Sequence, residues 1–310
     1  MATRIEFSKH GGPEVLQAVE FTPRDPAEHE IQVENKAIGI NYIDTYVRSG
    51  LYPPPSLPSG LGTEAAGIVS KVGHGVTHIK AGDRVVYAQS ALGAYSTVHN
   101  VLADKAAVLP DAISFEQAAA SFLKGLTVWY LLRKTYEIKP DEMFLFHAAA
   151  GGVGLIACQW AKALGAYVIA VGSGKHEAFL LNLGADEFID YTKRSAEDWV
   201  RNADLVIDAV GGPSADRFLR TLRPGGALFP IFPLGFSGAE EARQRGVTVS
   251  ATQVRSSGAQ LSQLADLLDS GVIRVAIDST FPLAHAQQAH ERAAAGHVQG
   301  KIVLSVCERE

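Results

Sequence analysis

The pattern of hydrophobic and polar positions changes near residue 115. Before it, short runs of β-branched residues lie between glycine, proline and aspartate at 31–40, 65–73 and 83–88. Such runs predict strands joined by turns. The proline-rich stretch 51–62 predicts an ordered loop, because proline has no amide hydrogen to donate to a sheet. The first third of the chain is therefore predicted to be a mostly β domain.

After residue 115 a helical period is followed by alternating strands and helices. Ser114 is a predicted N-cap, and Gln117 completes the spacing of a capping box. Continuous apolar strands that alternate with helices predict a parallel sheet covered on both faces, the doubly wound dinucleotide-binding fold. The strands are predicted at 143–149, 167–172, 187–190, 204–210, 226–232 and 247–254, and the helices at 153–164, 175–183, 195–201 and 213–222.

The last segment, 258–310, contains a predicted helix, a strand around 272–277, a second helix and a final strand, KIVLSV. The pattern leaves two placements open, because the segment either extends the parallel sheet or returns to the first domain.

Composition narrows the class of protein. A chain of 310 residues with 47% hydrophobic residues is long enough for two domains. A net charge of −5, with no block of like charges, argues against nucleic acid or a membrane surface as partner. The two cysteines make neither a disulfide framework nor a metal site. Without a secretion signal or a continuous apolar span, the chain is expected to be cytosolic.

A glycine-rich turn lies between the first predicted strand of the sheet and its helix. The stretch 147–159 reads HAAAGGVGLIACQ, in which Ala149 replaces the first glycine of the pattern G-x-G-x-x-G. Gly151, Gly152 and Val153 then open the helix, whose free amides favour a phosphate group. The setting predicts a dinucleotide site. A tight turn with no ligand is the alternative.

The end of the next strand indicates which dinucleotide binds. An NAD site usually has an acidic residue about 20 residues after the turn, to bind the ribose 2′-hydroxyl. Here Gly172, Ser173 and Lys175 precede the first acid, Glu177. Ser173 can donate a hydrogen bond to a 2′-phosphate and Lys175 can neutralise it, so NADPH is favoured over NADH. Alternatively, Lys175 is only a solvated residue at a helix start.

The run 141–162 resembles, at every defined position, the signature of quinone oxidoreductases. These are the zinc-free, zeta-crystallin-like branch of the medium-chain dehydrogenases/reductases. The resemblance continues at 39–53, 62–69, 81–87 and 119–132. It implies a GroES-like β domain (1–120 and 258–310), a Rossmann NADPH-binding domain (121–257) and an active site in the cleft between them. It also implies a homodimer formed through strand 247–254.

The resemblance assigns roles to individual residues. Asn41, Tyr46 and Thr63 would surround the nicotinamide and the acceptor. Asn41 would bind the nicotinamide ribose or the substrate oxygen, or would simply form a turn. Tyr46 would donate a hydrogen bond or a proton to the developing oxyanion, or would only pack.

Further residues are implied around these three. Tyr42 and Tyr52 would line the acceptor slot or belong to the core. Tyr191 would stack near the adenine, and the backbone of Ile231 and Phe232 would hold the nicotinamide amide. The residues on the helix before the Rossmann domain that would touch the cofactor are Thr127 and Tyr130.

Zinc is not expected at this site. Zinc alcohol dehydrogenases of the superfamily carry a cysteine near the place of Asn41 and a His-Glu pair near Thr63 and Glu64, and zinc needs at least three protein ligands. Asp44 and Glu64 are interpreted as structural hydrogen-bonding groups. Without a metal, the acceptor must already be electron-poor, so the prediction is an NADPH-dependent quinone oxidoreductase. The alternatives are a 2-enone or enoyl-thioester reductase and, less favoured, a crystallin-like or RNA-binding protein without turnover.

The second half departs from the bacterial quinone oxidoreductases. Residues 180–191 and 204–212 resemble a related zinc-free reductase branch. Residues 1–165 hold five arginines and nine lysines, whereas residues 166–310 hold 11 and three. Either two parents are joined after ALGA as a chimaera, or composition has drifted.

Overall fold

The computed structural model describes residues 1–250 and 254–306, which form two compact units. The first consists of Met1–Leu126, Arg255–Gly271 and Val275–Glu310, and the second of Thr127–Val254 and Val272–Arg274. Among the described residues, no helix is both long and apolar enough to cross a membrane.

The first unit is built mainly from antiparallel strands. Its strands are β1 (Ala2–Phe7), β2 (Gln17–Phe21), β3 (Glu30–Gly39), β4 (Ser59–Gly60), β5 (Glu64–Val72), β6 (Arg84–Ala88), β7 (Val98–Leu102) and β8 (Ala106–Val108). The helices near them are α1 (Tyr42–Ser49) and α2 (Phe115–Trp129), and α2 continues into the second unit. The predicted capping box of α2 is present, because Gln117 N donates to Ser114 Oγ and Ser114 N to Gln117 Oε1.

The second unit contains a six-stranded parallel sheet, as predicted. Its strands are β9 (Met143–His147), β10 (Tyr167–Gly172), β11 (Glu187–Asp190), β12 (Ala203–Asp208), β13 (Leu222–Pro230) and β14 (Thr248–Val249). Their order is β11-β10-β9-β12-β13-β14, so the order reverses between β9 and β12. The α-helices of this unit are α3 (Gly152–Ala163), α4 (Glu177–Asn182), α5 (Ala196–Trp199), α6 (Pro213–Phe218) and α7 (Ala239–Gln244).

The C-terminal segment completes the sheet of the first unit. Its elements are α8 (Gly258–Asp269), β15 (Ile277–Pro282), α9 (Ala286–Ala294) and β16 (Lys301–Ser305). Strand β16 pairs antiparallel with β3, opposing Val303 to Gly39, and parallel with β15. Of the two placements that the sequence leaves open, the structure has the return to the first unit.

Some element boundaries differ from the prediction for local reasons. The strand predicted around 272–277 begins only at Ile277, because the Gln159 side chain satisfies the backbone of Arg274 at both N and O. The strand predicted at 204–210 ends at Asp208, whose carboxylate accepts hydrogen bonds from the next turn. The predicted strand 247–254 is observed at Thr248–Val249, and residues 251–253 lie outside the described residues.

Candidate active site

The glycine-rich turn joins β9 to α3 at the carboxyl edge of the parallel sheet. Gly151 is the N-cap of α3, and a Cβ built on it would meet only the carbonyl oxygen of Ala148, at 3.2 Å. A Cβ on Gly154 would lie 2.6 Å from the Cα atom of Ala149. Gly151 therefore keeps the approach to the helix amides open, while Gly154 allows the start of α3 to pack against the turn at Ala149.

The loops after β10 and β11 lie side by side at the same edge. Gly172 is the last residue of β10, and its carbonyl oxygen accepts from Tyr191 N at 3.2 Å. Ser173 is partly exposed and Lys175 is exposed, so both can meet a ligand. Tyr191 is 47% exposed. The structure thus places Gly172 and Tyr191 beside each other at this edge, and the adenosine-phosphate end of a dinucleotide site stays a prediction for these loops.

Asp190 is the acidic residue beside this loop, and its carboxylate binds the residues that follow it in the chain. Its Oδ1 accepts from Thr192 N at 3.0 Å and from Thr192 Oγ1 at 2.7 Å. Lys193 Nζ lies 3.3 Å from Oδ2. Hydrogen bonds from Thr192 hold the pKa of Asp190 below its usual value. The carboxylate is thus occupied by its own loop.

A histidine–aspartate pair lies where the strand order reverses. His147 ends β9 and Asp208 ends β12, and His147 Nδ1 is 2.7 Å from Asp208 Oδ1. Asp208 is fully buried and also accepts from Val210 N, Gly211 N and Ser214 Oγ. Burial alone would raise the pKa of Asp208, but the interaction with His147, together with the bonds from Val210 N and Gly211 N, lowers it below its ordinary value. The pair fixes two loops at the position where dinucleotides bind in such sheets.

Four other predicted cofactor residues lie in the second unit. Ile231 follows β13, and its backbone N donates to Asp208 O at 2.8 Å, so only its carbonyl is available to a nicotinamide amide. A Cβ on Gly211 would collide with Phe232 O, which places that carbonyl against the loop after β12. Thr127 lies in the last turn of α2, and Tyr130 opens a π-helix, Tyr130–Thr135.

Asn41 lies in a buried polar cluster of the first unit. Its Nδ2 donates to Glu64 Oε2 at 2.9 Å and to Gly39 O at 3.3 Å. Its Oδ1 accepts from Lys301 Nζ at 2.7 Å, and the same Nζ is 2.7 Å from Glu64 Oε2. Leu123 N donates to the other oxygen of Glu64 at 2.6 Å. The cluster therefore connects β5, β16 and α2 to the N-terminus of α1.

A second buried series of hydrogen bonds includes Asp44. Asp44 Oδ2 accepts from Asn41 N and from Tyr95 Oη, both at 2.9 Å. Tyr95 Oη is 3.1 Å from His290 Nε2, and Arg48 Nη1 is 3.1 Å from His290 Nδ1. Burial raises the pKa of Asp44 to about 6 and lowers that of His290 to about 3. Since His290 is neutral and accepts from Arg48, it donates through Nε2 to Tyr95.

Three tyrosines form an aromatic cluster at α1. The rings of Tyr42 and Tyr46 are 5.4 Å apart and those of Tyr46 and Tyr52 are 5.6 Å apart, each pair edge to face. Tyr42 and Tyr52 are exposed, whereas Tyr46 is partly buried. Burial, with the two neighbouring phenols, raises the pKa of Tyr46 to about 12. Tyr46 therefore stays protonated at neutral pH and can donate a hydrogen bond.

Thr63 and Lys124 are two further residues related to the cluster of Asn41, Glu64 and Lys301. Thr63 is partly exposed and directly precedes Glu64, and its carbonyl accepts from Ser90 N at 3.2 Å. Lys124 is partly buried, and burial together with the charge of Lys301 lowers its pKa to about 7.

The cluster does not fit a zinc ion. The positions at which zinc enzymes of the superfamily place thiolate and imidazole hold Asn41 and Thr63. The remaining carboxylate, Glu64, is paired with the ammonium of Lys301. A divalent cation there would lack ligands and would face a like charge. Among residues 1–250 and 254–306, no group of three or more His, Cys, Asp or Glu side chains is placed to hold a metal.

Sequence reasoning did not identify several of these partners. His147 and Asp208 carried a usable signal, because polar residues end two otherwise apolar strands of a parallel sheet. Lys301 had only a weak signal, a lysine at the start of an apolar strand. Tyr95 and His290 had none, since their contact with Asp44 joins segments far apart in the chain.

Known dehydrogenases and reductases are similar to this chain along nearly its whole length. Family models match residues 27–111, as the alcohol dehydrogenase GroES-like domain, and residues 183–304, as zinc-binding dehydrogenase. Quinone oxidoreductase 1 of Escherichia coli strain K12 is 58% identical over 98% of this chain and 99% of its own. A 2-haloacrylate reductase of a Burkholderia species is 33% identical over 98% of this chain and 99% of its own.

A solved structure extends the likeness to three dimensions. The E. coli quinone oxidoreductase complexed with NADPH superposes with a TM-score of 0.92 at 57% identity, covering 98% of this chain and 99% of that one. The matched region includes residues on both sides of position 165, and the two-parent origin stays a hypothesis. The chain belongs to the quinone oxidoreductases of the medium-chain dehydrogenase/reductase family.

Proposed function

We propose that this chain is an oxidoreductase that reduces quinones with NADPH, without a metal. The observation that carries the proposal is the 58% identity, along nearly the whole chain, to an E. coli quinone oxidoreductase. The open approach at Gly151 supports dinucleotide binding independently. The decisive experiment is the oxidation of NADPH by a small quinone, which the proposal expects to proceed without a metal.

The second unit provides the groups that would hold the cofactor. Gly151, Gly152 and Val153 offer the amides at the start of α3 to a pyrophosphate. Ser173 and Lys175 offer a hydrogen bond and a positive charge to a 2′-phosphate. The bound nicotinamide supplies the hydride. The protein's part is to fix the ring by the carbonyls after β13 and by residues 127 and 130.

The first unit provides the groups that would hold the acceptor. The exposed rings of Tyr42 and Tyr52 offer flat apolar surface to a planar quinone. Tyr46, protonated at neutral pH, donates to the oxygen on which charge develops. No Lewis acid is needed, because a quinone is already electron-poor. Asn41, Tyr46 and Thr63 are proposed as the residues around the reacting atoms of the nicotinamide and the acceptor, and Asn41 is also proposed to bind the cofactor.

Replacing Lys175 with alanine is expected to weaken NADPH binding about tenfold, the effect of losing one charge-assisted bond of about 1.4 kcal/mol. NADH binding should change less than twofold, because NADH has no 2′-phosphate. Titration of cofactor fluorescence measures both constants. Lys162→Ala is the matched control, since Lys162 pairs with Asp186 on the surface of the same unit. Unchanged NADPH affinity in Lys175→Ala would remove the phosphate-site assignment.

A second function is favoured by one comparison. The 33% identity to a 2-haloacrylate reductase shows that this family also includes a reductase of conjugated acids. A 2-enone or enoyl-thioester reductase is therefore the alternative. Parallel assays with a quinone and an enone of similar size decide between them by their kcat/KM values.

We also propose a homodimer formed through the segment 247–254. The segment contributes β14, which is the last strand in the order of the parallel sheet. An edge strand can pair with its symmetry mate in a two-fold dimer. Sedimentation equilibrium should give twice the chain mass of 33.0 kDa. A mass equal to one chain at micromolar concentration would contradict the proposal.

A further inference from the structure

The C-terminal strand brings a cation into the interior of the first unit. Lys301, the first residue of β16, is 1% exposed, and Glu64 is fully buried. Buried charges persist in proteins where they are paired and hydrogen-bonded. The ammonium of Lys301 and the carboxylate of Glu64 bind each other, and each also binds the neutral side-chain amide of Asn41.

The ion pair determines which way the Asn41 amide faces. Its oxygen lies against the ammonium of Lys301 and its nitrogen against the carboxylate of Glu64. A flipped amide would place oxygen against carboxylate and NH₂ against ammonium, so both contacts would become repulsive. In the observed orientation both amide hydrogens are used, by Glu64 and by Gly39 O. Any further hydrogen bond of the Asn41 side chain must therefore be one that Oδ1 accepts, beside the bond from Lys301.

The backbone near the pair leaves space for it. A Cβ on Gly39 would collide with Ala119 O and would lie 2.7 Å from Glu64 Oε2 and 2.9 Å from Lys301 Cε. The backbone of Lys301 is fixed as well, since its N donates to Ala276 O at 3.0 Å. The lysine is thus held at both its main chain and its ammonium.

We propose that Lys301 is a positioning residue of the active site. Together with Glu64 it locks the Asn41 amide so that Oδ1 accepts a hydrogen bond from a hydroxyl group of the bound dinucleotide. The carbonyl oxygens of a quinone have no hydrogen to donate, whereas ribose hydroxyls do, so the lock directs Asn41 to the cofactor. This inference rests on the proposed function, which takes Asn41 as a cofactor-binding residue.

The test separates the lock from simple neutralisation of a buried charge. Lys301→Met leaves Glu64 unpaired and is expected to lower the unfolding temperature and to weaken NADPH binding at least tenfold. The double variant Glu64→Gln/Lys301→Met removes both charges, so its unfolding temperature should recover. NADPH binding of the double variant should stay at least fivefold weaker, with the KM for quinone within twofold of wild type. Lys71→Met, at an exposed pair with Asp25, is the control and should match wild type.

Wild-type NADPH affinity in the folded double variant would overturn the lock and leave Lys301 as a structural counter-ion. Cofactor fluorescence reports binding without turnover, so the two proposals fail separately. A wild-type chain that binds NADPH but consumes none with quinones would overturn the proposed function and leave the lock to be judged by affinity. A wild-type chain that binds no NADPH would overturn both.

Discussion

Gly154→Ala should destabilise the second unit, whereas Gly151→Ala should leave it folded and impair cofactor binding. The alanine Cβ at 154 would lie 2.6 Å from Ala149 Cα and from Ala149 O, which are backbone atoms that cannot rotate away. Moving α3 away from the turn at Ala149 to make room should cost about 3 kcal/mol. The Cβ at 151 would meet only Ala148 O, at 3.2 Å, so the loss of stability should be about 1 kcal/mol or less.

Relative to the stability that each variant loses, the loss of NADPH affinity should be larger in Gly151→Ala than in Gly154→Ala. The methyl group at 151 would project into the space that a pyrophosphate is proposed to use. The Kd for NADPH should therefore rise about tenfold or more, which corresponds to about 1.4 kcal/mol of binding free energy. Urea unfolding and cofactor titration of the two variants provide the measurements. Equal losses of stability in both variants would contradict the distinct duties assigned to the two glycines.

Asp208→Asn should cost about 3 kcal/mol of unfolding free energy. The buried carboxylate accepts four hydrogen bonds, and Oδ2 takes those of Gly211 N and Ser214 Oγ. An amide placed there must turn its NH₂ group either to those donors or to His147 and Val210 N. Buried donors would then face a donor, which costs more than losing one bond. Ser214→Ala, which removes a single bond, should cost about 1 kcal/mol.

The effect of Asp208 should also depend on pH in a defined direction. Its pKa in the folded protein is lowered below the ordinary value, so its contribution is fully present above the unfolded pKa of about 3.9. That contribution is lost as the pH falls through the folded pKa. The difference between wild type and Asp208→Asn should therefore shrink as the pH falls below about 4. A difference that continues to grow below about pH 4 would contradict an ionised Asp208 in the folded state.

The parallel sheet could be predicted because its signals are local. Strands β9 and β10 are short, mostly apolar runs next to breakers, and the glycine turn between them has a recognised spacing. One misplaced strand end reflects a local polar contact, and the other reflects a contact between residues far apart in the chain. Asp208 ends β12 by accepting bonds from the following turn, and Gln159 binds the backbone of Arg274, 115 residues away.

The proposed site in the first unit was only partly predictable. Asn41, Tyr46 and Thr63 were predicted as site residues through a family resemblance that covers their segment, and their roles stay predictions. The partner that orients Asn41 was not, because Lys301 comes from the last strand, 260 residues later. Glu64 was correctly interpreted as a hydrogen-bonding group, but the sequence could not show that its partner is a buried cation.

The proposed function is tested most directly by oxidation of NADPH on addition of a small quinone, in the presence of EDTA, with NADH in a parallel assay. We expect NADPH to be consumed well ahead of NADH, at a rate that the chelator does not change. Binding of NADPH without consumption would contradict the proposed function, and so would an activity that EDTA abolishes.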